Sequence, residues 1–308
     1  FALPPIVYNL GIILGIVLVV PFAGARGLAA GVVFGGVLQV LVQLPALWAM
    51  RFRPKFSFDM FEPGFRTVVK TSVPRVAAIA MNQLTIVALS AGASFFVAGS
   101  ISVFKFAANL LYVPVGLFGV SYALAMFPKL SSSSLSGNGQ AFREHIVLGV
   151  RNILFWTVPI AALAIVLRAH IVRVILGSGA FNWEDTRLVA AVLAIFSIAI
   201  ISESLLPLVL RSFYALGNTV SPLLWDILGS LATISFATGF VVWFTAHPGS
   251  LDFLARLLRI GDIASPKILA IALGFALGSF VNILLLWAAL KRVVHKRFGD
   301  RLVVGVAP

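Results

Sequence analysis

Long apolar runs, separated by short polar or turn-forming stretches, divide the chain into eight segments. They lie at approximately 5–22, 28–50, 72–97, 101–127, 148–176, 187–210, 220–246 and 267–290. A helix that crosses a bilayer needs about 20 mostly apolar residues. The runs reach that length and lack the two-residue alternation of membrane strands. The pattern predicts an all-α polytopic membrane protein with about eight transmembrane helices. Composition agrees: of 308 residues, 60% are hydrophobic and 11% charged, with a mean hydropathy of +1.06. A soluble domain cannot cover so much apolar surface.

The net charge of +13 would suggest nucleic acid in a soluble chain. Here the basic residues fall mainly between the runs, so they read as topology signals and contacts to anionic lipid. Eight spans put both ends of the chain on one side. Segments 51–75, 129–151, 211–219 and 291–301 share that side and carry 15 of the 23 Lys and Arg residues. The positive-inside rule makes it the cytoplasmic face of the plasma membrane. There is no cysteine, hence no disulfide framework or thiolate metal site. His145, His170, His247 and His295 show no metal-ligand spacing. No nucleophile elbow or phosphate loop is present. No enzyme activity, metal or cofactor is expected.

The connections carry information too. RFRPKFSFDMFEPGFRTVVK (51–70) suits a helix or loop lying on the cytoplasmic interface. In 247–267, Leu251, Leu254 and Leu258 share one helical face, with Phe253 and Leu257 beside them. Asp252, Arg256 and Arg259 lie toward the other face, so a short outer interfacial helix is predicted. LSSSSLSGNGQ reads as a flexible polar linker, either a hinge or a simple tether. In LGSGAFNWEDT (176–186), Gly177 and Gly179 end a helix, and Asp185 or Thr186 caps the next. His145 beside Glu144 reads as a solvated interfacial pair.

A repeat links the two ends of the chain. Pro5 and Asn9 in the first span match Pro222 and Asp226 in the seventh, as P-x3-[N/D]. Ala29, Gly31, Gly35 and Gln39 in the second match Ala272, Gly274, Gly278 and Asn282 in the eighth, as A-x-G-x3-G-x3-[Q/N]. Repeated halves with a site between them are the architecture of secondary transporters. If the spans correspond, 72–290 holds six helices of one half and 1–50 the last two of the other. Four further spans are then expected before Phe1.

Three stretches occur in a recognisable order: GSISVFKFAANLLYVPVGLFGVSYALAMFPKLS (99–131), LGSGAFNWEDT (176–186) and RSFYALGNTVSP (211–222). With them the chain resembles the MurJ (MviN) lipid II flippases of the multidrug/oligosaccharidyl-lipid/polysaccharide exporter superfamily. The resemblance covers nearly the whole chain. It implies two six-helix lobes, alternating access, and movement of an undecaprenyl-pyrophosphate-linked peptidoglycan precursor across the plasma membrane. On this reading 1–50 ends the N-terminal lobe and 51–71 is a cytoplasmic interfacial linker. The six-helix C-terminal lobe is 72–290, and 291–308 is a basic cytoplasmic tail. The implied partners are the lipid-linked pyrophosphate glycan, membrane lipids and proteins of cell-wall synthesis. Two other readings stay open: an exporter of another polyprenyl-linked glycan or of a drug, and a scaffold paralogue that moves nothing.

Candidate residues follow from charge and position. No acidic residue occurs from Pro63 to Arg143, while Arg66, Lys70, Arg75, Lys105, Lys129 and Arg143 all do. That region is electropositive, as recognition of a pyrophosphate lipid requires. Arg75, Asn82, Gln83, Lys105 and Asn109 are the expected substrate-binding set; the alternatives are that Arg75 snorkels to headgroups and that Asn109 bonds another helix. Pro114 frees a carbonyl one turn earlier, which is tolerated where protein or a wet cavity can satisfy it. Many relatives carry arginine five residues before this proline and some an acid two before it, where this chain has Asn109 and Tyr112. The family's principal cavity arginines belong to its first helices. Some relatives build a sodium site on an acid in the third span; this chain has none there, so no sodium is expected. Glu203 and Asp226 are the only acids inside spans. Glu203, with Pro207 and Arg211 following, either couples an ion or bonds a neighbouring helix. Asp226, paired with Asn9 by the repeat, is expected to cap its helix or pack the lobe.

Overall fold

The computed structural model describes residues 3–49, 63–177, 179, 181–263 and 266–299. Nine helices and no strand occur among the described residues, and eight of the helices are long and apolar enough to span a membrane. We number them α1 (Leu3–Ala23), α2 (Ala25–Ala49), α3 (Pro63–Ser94), α4 (Ser100–Leu135), α5 (Gly139–Leu176), α6 (Trp183–Ala215), α7 (Val220–Ala246), α8 (Pro248–Leu257) and α9 (Ile268–Phe298). The eight spans match the eight apolar runs. The chain divides into two compact units, Phe1–Glu62 and Pro63–Pro308. Residues 51–62 of the proposed interfacial linker and 300–308 of the basic tail lie outside the described residues. α3 already begins at Pro63, and α9 carries the tail's start as helix to Phe298.

In the first unit, α1 and α2 pack through glycine. Gly11 meets Gly35, and Gly15 meets Gly31. No side chain fits between the two backbones, which is how helices gain close contact where lipid gives no hydrophobic drive. In the second unit α7 and α9 pack the same way, with Gly278 against Thr233 and Gly274 against Ala237. Aligning Gly31 with Gly274 and Gly35 with Gly278 therefore pairs Gly11 with Thr233 and Gly15 with Ala237. That is an offset of 222 residues, five more than the 217 between Pro5 and Pro222. The packing repeats, but the P-x3-[N/D] motif is out of register with it.

The second unit is built around α6. Its residues from Val189 to Ile200 are buried nearly all round, and α4, α5 and α9 pack against it. Phe196 of α6 sits 5.5 Å from Phe104 of α4 and 5.0 Å from Phe275 of α9, edge-to-face and tilted contacts worth about 0.5–1.5 kcal/mol per pair. This cluster and a second one, containing Met126, Phe142, Leu208, Phe213 and Leu286, are separated by a polar layer. The layer contains Ser202, Glu203 and Ser204 on α6, Ser279 and Asn282 on α9, and Asp226 and Ser230 on α7.

Three connections differ from expectation or refine it. The serine-rich stretch is no flexible linker: α4 remains helical through Leu135, and a tight turn at 136–138 follows. Gly137 takes φ +68°, the Asn138 amide donates to the Ser133 carbonyl at 3.0 Å, and Asn138 Oδ1 accepts from the Ala141 amide at 2.9 Å. The same residue thus closes one helix and caps the next. At the start of α6 the cap is Asn182, not Asp185 or Thr186. Asn182 Oδ1 accepts from the Asp185 amide at 2.8 Å, and Asp185 Oδ2 in turn accepts from the Asn182 amide at 3.0 Å. Glu144 and His145 do not pair: Gln140 donates to Glu144 at 2.9 Å, and His145 Nδ1 lies 3.1 Å from Ser133 Oγ. Neighbours on a helix point about 100° apart, so each finds a partner one turn away or on another helix.

The short amphipathic helix is present as α8. Leu251 and Ala255 are buried and Leu254 and Leu258 pack behind them, while Phe253 and Leu257 face outward. Two arginines clamp the turn that follows. Arg168 donates to the Leu258 carbonyl at 3.5 Å. Arg187 donates to the carbonyl of Arg259, which has φ +61°, at 2.6 Å, and to both Asp262 oxygens. These bonds hold the Asp262 carboxyl below the ordinary carboxylate range.

Candidate functional site

On α4, Lys105, Asn109 and Tyr112 fall at i, i+4 and i+7 and so form one stripe. The opposite face, Phe104, Ala107, Leu111 and Pro114, is buried. Lys105 and Asn109 are exposed and Tyr112 is half-buried. On α3, Asn82 and Gln83 are exposed as well. Counted from the connection at 95–99, Asn82 and Asn109 lie about 18 and 14 Å along their helices, at 1.5 Å per residue, so the two neighbouring helices present polar groups at similar depth. None of Asn82, Gln83, Lys105 and Asn109 hydrogen-bonds another described residue. The interhelical bond considered for Asn109 is therefore absent, and its amide is available. The side chain of Arg75 lies outside the described residues.

Just beyond Pro114, α4 widens into a π-helical segment, Val115–Val120. Such segments shift the register of the faces on either side and concentrate at functional sites. Here the turn brings Gly119 against the backbone of Ser204, where an added Cβ would lie 2.6 Å from the Ser204 carbonyl oxygen. The buried Ser204 hydroxyl has no hydrogen-bond partner among the described residues.

Beneath the stripe lie the two intramembrane acids. Glu203 is within electrostatic reach of both Tyr112 and Asp226. Asp226 is 5% exposed, and Asn282 Nδ2 donates to its Oδ1 at 2.9 Å. Asp226 does not cap its helix, because it lies more than one turn inside α7, whose N-cap position is Thr219. Asn9, its proposed repeat partner, bonds instead to the Pro5 carbonyl of its own helix at 2.9 Å. Ser202 and Ser279 join α6 to α9 at 2.8 Å. Arg211 does not pair with Glu203 and donates to the Pro207 carbonyl at 3.3 Å. Pro207 in turn lacks the amide that would satisfy the Glu203 carbonyl. From the surface inward, Asn109 is exposed, Tyr112 half-buried, and the Asp226–Asn282 pair buried or part-buried. Sequence reasoning missed Asn282 as a partner, although the repeat had already singled it out. Ser204 gave no signal, since only contact with Gly119 reveals its isolation.

Lys105 supplies a fixed charge, Asn82, Gln83 and Asn109 supply amide donors suited to phosphate oxygens, and the acids lie one layer deeper. No group of three or more His, Cys, Asp or Glu residues able to hold a metal occurs among the described residues.

The family profile described as "Lipid II flippase MurJ" matches residues 1–305. The probable lipid II flippase MurJ of Thermotoga maritima is 28% identical over 292 residues, covering 92% of this chain and 58% of that protein. That of Vibrio cholerae is 28% identical over 225 residues, covering 72% and 42%. A solved structure titled "Lipid II flippase MurJ, inward closed conformation" has a TM-score of 0.71 at 23% identity, covering 96% of this chain and 58% of that one, a likeness of fold. The chain spans about half the length of the relatives it matches.

Proposed function

Because the chain belongs to the MurJ lipid II flippase family by its match over residues 1–305, we propose that it helps move a polyprenyl-pyrophosphate-linked peptidoglycan precursor across the bacterial inner membrane by alternating access. The observation that carries this reading is the exposed stripe of Lys105 and Asn109, with Asn82 and Gln83 exposed at similar depth on α3, in a region without an acidic residue from Pro63 to Arg143. A diphosphate passing this face meets donors and one fixed cation, with no carboxylate until the layer of Glu203. The acid-free region also argues against a cationic drug as cargo.

Binding of a polyprenyl-pyrophosphate lipid to purified protein tests the reading. Lys105→Ala should weaken it by about 1–3 kcal/mol, the worth of a hydrogen bond to a charged group. Asn109→Ala should cost less, and Asn109→Arg should be tolerated or tighten binding because the position is exposed. Equal binding by wild type and Lys105→Ala would remove the site. Lipid binding without lipid movement would favour the scaffold reading.

Glu203 is the residue we assign to ion coupling, on its place between the exposed stripe and the buried Asp226. Glu203→Gln keeps shape and hydrogen-bonding capacity but removes titration, so transport should lose its pH dependence. An unchanged pH profile would leave Glu203 a structural role only.

A further inference from the structure

A second charged feature lies away from the polar stripe, where the N-terminal end of α5 stands beside the C-terminal end of α9. Phe298 packs on Phe142 with ring centroids 5.7 Å apart and closes over Gly139, joining the two helix ends. Deeper, both helices pack on α6. Between these contacts the helices part around a cavity of about 550 Å³. Its apolar wall is Ile146, Val147, Leu290 and Val294, and its rim is Arg143, Lys291, Arg292 and His295, with Trp287 beside them. No acidic residue lines it among the described residues.

The level of the cleft in the membrane follows from helix geometry. Lys291 directly follows the apolar run that ends at 290. Arg143 precedes the run that begins at 148 by five residues, about 7.5 Å of helix. The basic rim therefore stands at headgroup level and the apolar wall at the start of the hydrocarbon. Trp287 lies where tryptophan is enriched, at that boundary. A ligand that fits must carry negative charge at one end and hydrocarbon at the other, and must arrive from within the membrane plane. An acidic peptide matches the rim but leaves the apolar wall open to lipid.

We infer that the cleft between α5 and α9 is a binding site for an anionic phospholipid, its phosphate on Lys291 and Arg292 and an acyl chain against Val147 and Leu290. The site is separate from the Lys105–Asn109 stripe and does not depend on what the protein transports. A lipid seated there would tie the ends of α5 and α9 together below the Phe298 contact.

Phosphatidylglycerol and phosphatidylcholine binding to the chain in uncharged detergent tests the site, measured by native mass spectrometry. Phosphatidylglycerol should bind more tightly. Lys291→Gln with Arg292→Gln should weaken that binding roughly 10- to 30-fold, at about 1 kcal/mol per surface cation. Val147→Trp, at an exposed position, should weaken it comparably with all charges intact. Lys296→Gln with Arg297→Gln removes the same charge from the same helix outside the cleft and should leave the tight binding unchanged. Equal affinity for the two lipids, equal loss in the control pair, or no loss with Val147→Trp would each overturn the assignment. Displacement of phosphatidylglycerol by an acidic peptide at this cleft alone would overturn it in favour of a protein partner.

Discussion

Asp226 and Asn282 face each other in the middle of the second unit, and the consequences of changing them are unequal. Asn282→Ala strands a buried carboxylate without its donor, a change costing about 1–3 kcal/mol or more, and should lower the melting temperature in detergent clearly. Asp226→Asn keeps an acceptor for the Asn282 amide and should be nearly neutral; the reverse order of the two melting temperatures would show that the charge, not the hydrogen bond, matters here. The acid itself was visible in the sequence, because charge inside a span always calls for a partner. Its partner was not, because the repeat paired Asp226 with Asn9, whose amide turns back to Pro5. Two residues at matching motif positions met different neighbours once the helices packed five residues out of register.

At the scale of helices, the glycines separate packing from mere permissiveness. A Cβ added at Gly278 collides with Thr233, whereas Gly239 on α7 has nothing within 4 Å. Gly278→Leu should therefore push α7 from α9 and destabilise the protein by 1–3 kcal/mol, on the order of other overpacking changes. Gly239→Ala should be neutral or stabilising by up to about 1 kcal/mol, since alanine is the better helix former. Thermal unfolding of the two variants checks this; similar melting temperatures would mean the α7–α9 crossing is not as tight as described. All eight spans could be read from hydropathy because length and apolarity are what a bilayer demands. Which span lies at the centre could not. Lipid and protein core are equally apolar, so the buried faces of α6 leave no amphipathic trace. The turn at 136–138 was hidden for another reason: serines that look like a linker bond to carbonyls one turn back, as Ser133 does to Lys129 at 2.9 Å, and so remain helical.

For the whole molecule, the apolar runs made the membrane class legible in the sequence, and the order of the stretches at 99–131, 176–186 and 211–222 made the family legible. The polar groups of Ser202, Asp226, Ser279 and Asn282 were not, because they lie on three helices and meet only where α6, α7 and α9 pack. The proposed function puts Lys105 on the path of a pyrophosphate-linked cell-wall precursor moving outward. The most direct measurement follows that precursor in bacteria depleted of their own flippase and supplied with the complete gene product that carries this chain. An impermeant enzyme that cleaves only precursor on the outer face reads the result. Wild type should restore cleavable outer-face precursor, and Lys105→Ala, at equal membrane abundance, should restore less. Precursor that stays inside while wild-type protein is present in the membrane would contradict the account.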